Sequence, residues 1–175
     1  MPIKRSTERS GPIPRLSDPY VQLKAYPEPT ICPTCGLVFH KKRWIRDEYI
    51  TQEIMGVAHK HKCPACRKIE DHYVMGLVSI TGNVLPALKD EIVNQIKNQE
   101  KKEAFRNPLA RIMSLKIKDK EISVETTTEN LAIMIGKALQ HAHRGELELG
   151  LSQDEKFARV HWHRDMEENS KNIKK

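Results

Sequence analysis

Long apolar runs are missing from this chain of 175 residues. It has no run of about 18 apolar residues, the length needed to span a membrane. The first ten residues also lack the apolar core of a secretory signal. Enzyme motifs are missing too, since there is no phosphate-cradling glycine loop, no H-E-x-x-H and no G-x-S-x-G. We therefore expect a cytoplasmic protein that is not an enzyme and has neither a membrane nor a small-molecule substrate as its partner.

Cysteine is scarce, and all four cysteines stand in two matched pairs. Cys32-Pro-Thr-Cys35 is followed by a glycine, and Cys63-Pro-Ala-Cys66 comes later, with 27 residues between the two pairs. Each C-P-x-C turn brings two sulfurs together, and two such turns complete the tetrahedron of thiolates that Zn²⁺ prefers. No cysteine is left over, so disulfides are a poor competitor, and thiols kept as ligands fit a reducing cytoplasm. The spacing is that of a zinc ribbon.

Three histidines, His40, His59 and His61, lie near the cysteine pairs and could each replace a sulfur. With four thiolates available, we expect them to be surface groups. A catalytic zinc ion keeps one position open for water, whereas four sulfurs close the coordination shell. The sequence thus predicts one structural Zn²⁺, bound by Cys32, Cys35, Cys63 and Cys66.

Positive charge is concentrated at the front of the chain, within an overall net charge of +7. Residues 1–70 carry 13 Lys and Arg against 7 Asp and Glu, and residues 71–175 carry 17 against 16. Zinc with four thiolates is formally −2, which leaves the front at about +4. Such an excess favours polyanions, chiefly nucleic acid.

Residues 1–30 contain six prolines and few large apolar side chains, which predicts an extended arm. The arm is either a dispensable disordered tail or a segment that orders against a partner. We expect nucleic-acid contacts from its cations and from those of the zinc ribbon at residues 31–70. The candidates are Lys4, Arg5, Arg9 and Arg15 in the arm and Lys41, Lys42, Arg43, Arg46, Lys60, Lys62, Arg67 and Lys68 in the ribbon.

Trp44 lies among several of these cations, in the insertion between the two cysteine pairs. Basic groups beside an aromatic ring suit phosphate contacts combined with base stacking. Alternatively, Trp44 packs over the metal-binding turns, because small metal modules need their large apolar residues for a core. We expect Phe39, Trp44 and Tyr49 to form that core.

Residues 71–165 alternate between strand and helix patterns. A strand over 72–81 is followed by an amphipathic helix from Pro86 to about Phe105. A hairpin around Asp119-Lys120 comes next. A second helix, with Thr126 and Glu129 as its capping box, and two strands complete the pattern. This β-α-β-β-α-β order with one added strand predicts an α+β, ferredoxin-like domain. Residues 166–175 are expected to be a flexible tail. The predicted core is Leu77, Leu88, Ile92, Leu115, Ile117, Val124, Leu131, Ile135, Leu139, Leu149, Val160 and Trp162.

The open face of the predicted sheet carries mixed charge and no aromatic stacking platform, so we do not assign it the standard role of RNA-recognition sheets. His161 and His163 point the same way from the last strand. Such a pair could bind metal or phosphate, although histidines on an edge strand are more often plain surface groups.

Several short motifs together resemble a little-characterised bacterial zinc-ribbon family over roughly residues 15–165. They are Glu28-Pro-Thr-Ile-Cys-Pro-Thr-Cys-Gly36, Arg43-Trp44, Cys63-Pro-Ala-Cys-Arg67, Asn107-Pro-Leu109, Arg111-Ile112 and Val160-His-Trp162. The twin cysteine turns also resemble, more faintly, those of the zinc-bearing adaptor that escorts the large ribosomal subunit from the eukaryotic nucleus. The resemblance implies a small bacterial cytosolic protein that associates with ribosomes, and it supplies no catalytic residues.

The sequence therefore favours a non-enzymatic RNA-binding protein that associates with the ribosome in translation, hibernation or assembly. The arm and the ribbon are expected to contact rRNA, while the α+β domain positions them or meets a ribosomal protein. Two alternatives stay open: a transcription-associated DNA-binding regulator, and a protein-interaction adaptor whose charge only aids solubility.

Overall fold

The computed structural model describes residues 4–5, 18–22, 24–152 and 155–166. Arg9 and Arg15 of the predicted arm, and the predicted tail after Met166, lie outside the described residues, as do the side chains of Lys4 and Arg5. No helix in these ranges is long and apolar enough to cross a membrane.

Four helices and ten strands make up the described part of the chain. The helices are α1 (Glu48–Ile54), α2 (Pro64–Glu70), α3 (Leu85–Arg106) and α4 (Glu129–His143). The strands are β1 (Lys4–Arg5), β2 (Thr30–Ile31), β3 (Val38–His40), β4 (Arg43–Ile45), β5 (His59–Lys60), β6 (Gly76–Thr81), β7 (Ile112–Ile117), β8 (Glu121–Thr126), β9 (Glu146–Leu151) and β10 (Ala158–His163).

A small four-stranded sheet with the order β4-β3-β2-β5 forms the ribbon. The strands have only two or three residues each, too few to bury a large core. The ribbon therefore packs three aromatic side chains, Tyr26, Phe39 and Trp44, against the cysteines. Tyr49, predicted to join them, is 75% exposed on α1, and Tyr26 from the preceding segment takes its place.

The larger sheet has the order β1-β9-β10-β6-β8-β7. Helices α3 and α4 bury their apolar faces together with one face of this sheet. Gly136 allows α4 to lie directly on the sheet, because a Cβ at that position would come within 2.4 Å of the Val160 side chain. The fold is thus α+β, with a small cysteine-containing module preceding a two-layer domain.

The strand order departs from the ferredoxin-like prediction. The elements follow the predicted order along the chain, and β8 lies between β6 and β7 as in a split βαβ unit. However, β9 is not the neighbour of β6. The β9–β10 hairpin places β10 between them, and β10 pairs with β6 in parallel. A ferredoxin-like sheet has an antiparallel strand at that place, so the exact ferredoxin-like order is not confirmed.

Two core residues were placed incorrectly by the sequence patterns. In β6 the buried side chains are Val78 and Ile80, so Leu77 faces the opposite side of the sheet. Ile117 pairs with the core residue Ile122 but is 47% exposed, because β7 is an edge strand. The cap of α4 is also shifted, since the Thr128 hydroxyl, rather than that of Thr126, accepts the hydrogen bond from the Leu131 amide.

The described end of the predicted arm docks on α2. Asp18 forms an ion pair with Lys68, and the Tyr20 hydroxyl donates to the Asp71 carboxylate over 2.8 Å. The Tyr20 ring also packs against Tyr73, with 5.0 Å between the ring centroids. From residue 18 onwards, the segment predicted to be an extended arm therefore belongs to the folded structure.

Candidate metal centre

Two backbone turns aim the four cysteines at one point. In the first turn the Gly36 amide donates to the Cys32 carbonyl over 2.9 Å, and Gly36 has a φ of +72°, which a glycine adopts without strain. In the second, Cys63 caps the N-terminus of α2, and its sulfur accepts a 3.5 Å hydrogen bond from the Cys66 amide. The Cys63 amide donates in turn to the Cys32 sulfur over 3.3 Å, which links the two turns.

The four sulfur atoms all lie within 4.8 Å of one another. The Cys35 and Cys63 sulfurs are 3.7 Å apart, and the edge of a tetrahedron with metal–sulfur bonds of 2.3 Å is about 3.8 Å. Three of the cysteines are buried and Cys35 is half-buried, so solvent hardly reaches the centre. Among the described residues no histidine or carboxylate belongs to this group. The cysteines are thus positioned to bind one metal ion.

The clustered cysteines and Arg111 shift the pKa values of the thiols in opposite directions. A hydrogen bond from the Cys63 thiol, together with one from Arg111, lowers the pKa of Cys35 to about 4. The same contact and burial raise the pKa of Cys63, and burial raises the pKa of Cys66 to about 11. At neutral pH these shifts favour a thiolate at Cys35 and thiols at Cys63 and Cys66. A bound metal ion would displace those protons.

Arg111, which follows α3, contacts the centre from the α+β domain. Its Nη2 lies 3.1 Å from the Cys35 sulfur and its Nη1 lies 3.5 Å from the Cys66 sulfur. Its Nε donates to the Pro108 carbonyl over 3.1 Å, which fixes the plane of the guanidinium group. Four thiolates around a divalent ion would carry a formal charge of −2, and this half-buried cation would offset part of it. Sequence reasoning placed Arg111 in a motif but assigned it no contact.

Five of the predicted nucleic-acid contacts are exposed on the ribbon. They are Lys41, Lys42, Arg43, Arg46 and Lys60. The first three lie at or beside the tight turn between β3 and β4, Arg46 follows β4, and Lys60 ends β5. Their side chains therefore reach solvent from one small module.

The turn that carries Lys41 and Lys42 is unusual. Their φ angles are 50° and 60°, as in the type I′ hairpins that normally use Asn-Gly. The Glu28 carboxylate accepts hydrogen bonds from both amides over 2.9 Å. These bonds lower the pKa of Glu28, and the bond from Lys42 has the larger effect. An acceptor from a neighbouring segment thus holds two lysines in a backbone conformation that side chains rarely adopt.

Three other predicted contacts are engaged within the protein. Lys68 is only 2% exposed and is bound by Asp18 and by the Thr127 carbonyl, so it is a structural residue. The Lys62 ammonium is paired with Glu70 at 2.7 Å. Arg67 is half-buried, with its guanidinium 5.1 Å from the centre of the Tyr20 ring.

Trp44 is a core residue of the ribbon. It is 7% exposed, and its ring packs edge-on against Tyr26 and at a tilt against Phe39, with centroid distances of 5.3 and 5.5 Å. Of the two roles considered for it, packing is therefore favoured, and a base could not stack on its covered faces. The small ribbon needs the ring for its own stability.

The histidines lie apart from the sulfur cluster. His61 packs on Tyr26, and His40 lies 3.7 Å from Glu28. On the larger sheet the rings of His161 and His163 are stacked 6.4 Å apart, and both approach the Thr81 hydroxyl. In the described part of the chain they do not form a metal-binding group with any third residue.

Comparison of the chain with protein-family models, with curated proteins and with solved structures finds no match. The comparisons therefore carry no argument about the function of the centre and its surroundings.

Proposed function

We propose that the four cysteines bind one structural Zn²⁺ and that the ribbon they organise binds RNA without catalysing a reaction. Zinc is favoured because it prefers four thiolates in a tetrahedron and has no redox chemistry of its own. Four sulfurs leave no position for a water molecule or substrate, so the ion would act by holding the ribbon rigid.

The observation that carries the RNA proposal is the lysine pair at the tip of the β3–β4 hairpin. Residues other than Gly, Asn and Asp at positive φ strain the backbone by roughly 1 kcal/mol or more each. Lys41 and Lys42 lie there with their side chains in solvent, and Glu28 satisfies their amides. The two-residue turn needs this backbone conformation, but Asn-Gly would adopt it without the strain. Lysines at these positions instead give a cationic tip that suits phosphate contacts.

Ribosomal RNA is the target we favour, on the strength of the family resemblance described above. The five exposed cations of the ribbon and the cations of the arm would contact rRNA phosphates. The larger domain would position the ribbon through Arg111 or meet a ribosomal protein. The role that the resemblance implies is that of an accessory factor in translation, hibernation or assembly.

Charge reversal on the ribbon tests the proposal. The variant K41E/K42E/R43E/R46E should no longer co-sediment with ribosomes, because phosphate contacts dominate such binding. Its control reverses four exposed lysines at the far end of the α+β domain, Lys89, Lys116, Lys118 and Lys120. Lys89 and Arg106 are 17 residues apart on α3, a span of roughly 25 Å. The control should sediment as wild type does, and equal sedimentation of both variants would refute the proposal.

Two other outcomes would point elsewhere. A preference for duplex DNA over rRNA in filter binding at matched salt would indicate a transcription-associated regulator. Pull-downs that survive nuclease and high salt would indicate a protein-interaction adaptor, because polyanion binding weakens steeply with salt.

A further inference from the structure

A groove runs between the ribbon and the C-terminal end of α3, and cations line both of its sides. Arg43 and Arg46 lie on the ribbon side, and Lys101 and Arg106 lie on the helix side. Past Arg43 and Arg106 the groove continues towards Lys24 and Lys42. The helix adds charge that sequence analysis did not connect with the ribbon, because the two segments are almost 60 residues apart.

Negative charge does little to neutralise this groove. Asp47 is the one carboxylate among its lining residues, and its side chain caps α1 by accepting from the Tyr49 and Ile50 amides over 3.0 and 3.1 Å. None of the six cations forms an ion pair with any carboxylate that the structure describes. The groove is thus complementary to a polyanion.

One aromatic ring stands at the edge of this charge. Phe105, in the last turn of α3, is 95% exposed and lines the groove beside Arg106. A single exposed aromatic side chain is common on protein surfaces. This one is set apart by its position, with Lys101 one helical turn before it and Arg43 and Arg46 across the groove.

We propose that the groove binds an unpaired RNA segment, with one base stacked on Phe105 and the flanking phosphates contacted by Arg43, Arg46, Lys101 and Arg106. The inference rests on the proposed RNA-binding function and names the form of RNA that is bound. An unpaired segment is favoured because a duplex covers the faces of its bases, whereas a single strand can turn one base onto an exposed ring.

The dipole of α3 opposes this binding but is outweighed. The C-terminal end of a helix carries a partial charge of about −0.5. The Asn107 amide satisfies one of the free carbonyls there by donating to Glu103 over 2.7 Å. Four full positive charges line the groove around this end of the helix, against the single carboxylate of Asp47 in the lining, so we expect them to outweigh the partial charge of the dipole.

The test compares F105A and F105Y, using a fluorescein-labelled single-stranded RNA of mixed sequence and the same strand annealed to its complement. F105A should bind the single strand roughly tenfold more weakly, since no ring remains for a base to stack on. F105Y keeps a ring and should bind as wild type does. Binding of the duplex should be unchanged in both variants. Because the ring is exposed, both variants should melt at the wild-type temperature.

A second variant isolates the charge on the helix. K101Q/R106Q should reduce the slope of log affinity against log salt by roughly 1.4, about 0.7 for each phosphate of a single strand that is no longer neutralised. The quadruple ribbon variant serves as the reference for overall RNA binding.

The outcomes separate this inference from the proposed function. If wild type binds RNA and the ribbon variant does not, while F105A binds the single strand with unchanged affinity, the groove inference is overturned and the proposed function stands. The groove inference is likewise overturned if F105A weakens the binding of duplex and single strand equally. If wild type binds neither RNA, both proposals fail.

Discussion

The Nη2 atom of Arg111 lies 3.1 Å from the sulfur of Cys35, across the boundary between the α+β domain and the ribbon. The backbone amide of Arg111 donates to the Thr127 hydroxyl over 2.8 Å, so the same residue is anchored in the larger domain. Leu109 adds an apolar contact with the ribbon core. The metal centre is therefore coupled to the orientation of the two parts.

Loss of the Arg111 guanidinium should weaken metal binding. We expect R111M to lower the zinc affinity by roughly 10- to 100-fold, the usual effect of removing an outer-shell partner. R111K keeps the charge but lacks the fork that spans two sulfurs, so its affinity should be intermediate. Competition with a chromophoric chelator measures the zinc affinity of wild type and both variants. An R111M affinity equal to that of wild type would mean that the contact does not stabilise the centre.

Replacement of the strained lysine turn should separate stability from binding. K41N/K42G installs the residues that type I′ turns prefer, and we expect its melting temperature to rise. Its RNA affinity should fall, because two cations no longer reach the phosphates. Calorimetry and fluorescence anisotropy on one preparation check both effects. If affinity and stability moved in the same direction, the lysines would not be there for binding.

Removing only Asp18 from the Asp18–Lys68 pair should destabilise the protein more than removing both charges. D18A leaves the Lys68 ammonium buried without a carboxylate partner, so we expect the free energy of unfolding to fall by about 3 kcal/mol. D18A/K68M removes both charges and should recover most of that decrease. Urea denaturation measures the free energy of unfolding of the wild type and of the two variants. Equal stability of D18A and wild type would contradict the docking of residue 18 on α2.

Metal removal should unfold the ribbon before the larger domain. The two tryptophans of the chain are divided between the two cores, with Trp44 in the ribbon and Trp162 in the sheet. Single-tryptophan variants W162F and W44F therefore report on each part separately. On addition of a chelator, the emission of Trp44 should shift to the red while that of Trp162 stays constant. A simultaneous shift of both would mean that the domain depends on the metal as well.

Local patterns predicted much of this structure. The C-P-x-C spacing identified four residues that the fold does bring together, because each pair is confined to one turn. The helix before Asn107 and the hairpin around Asp119-Lys120 also follow from short-range periodicity and turn residues. These features depend on residues that are close together in the sequence, so one sequence is enough to predict them.

Longer-range features could not be predicted in this way. Leu77 lies in an apolar run without strict alternation, and pairing of β6 with β8 and β10 decides which side faces the helices. The contact between Arg111 and Cys35 spans 76 positions, and that between Lys68 and Asp18 spans 50. No local pattern marks such partners, so neither contact was predicted.

The binding of a labelled single-stranded RNA to the zinc-loaded protein, measured by anisotropy at several salt concentrations, tests the central claim most directly. Wild type and the distal variant K89E/K116E/K118E/K120E should bind with similar affinity and a steep salt dependence. K41E/K42E/R43E/R46E should show almost no binding, although it carries the same net charge as the distal variant. Equal affinities for the two charge-reversal variants would contradict a ribbon-centred RNA site.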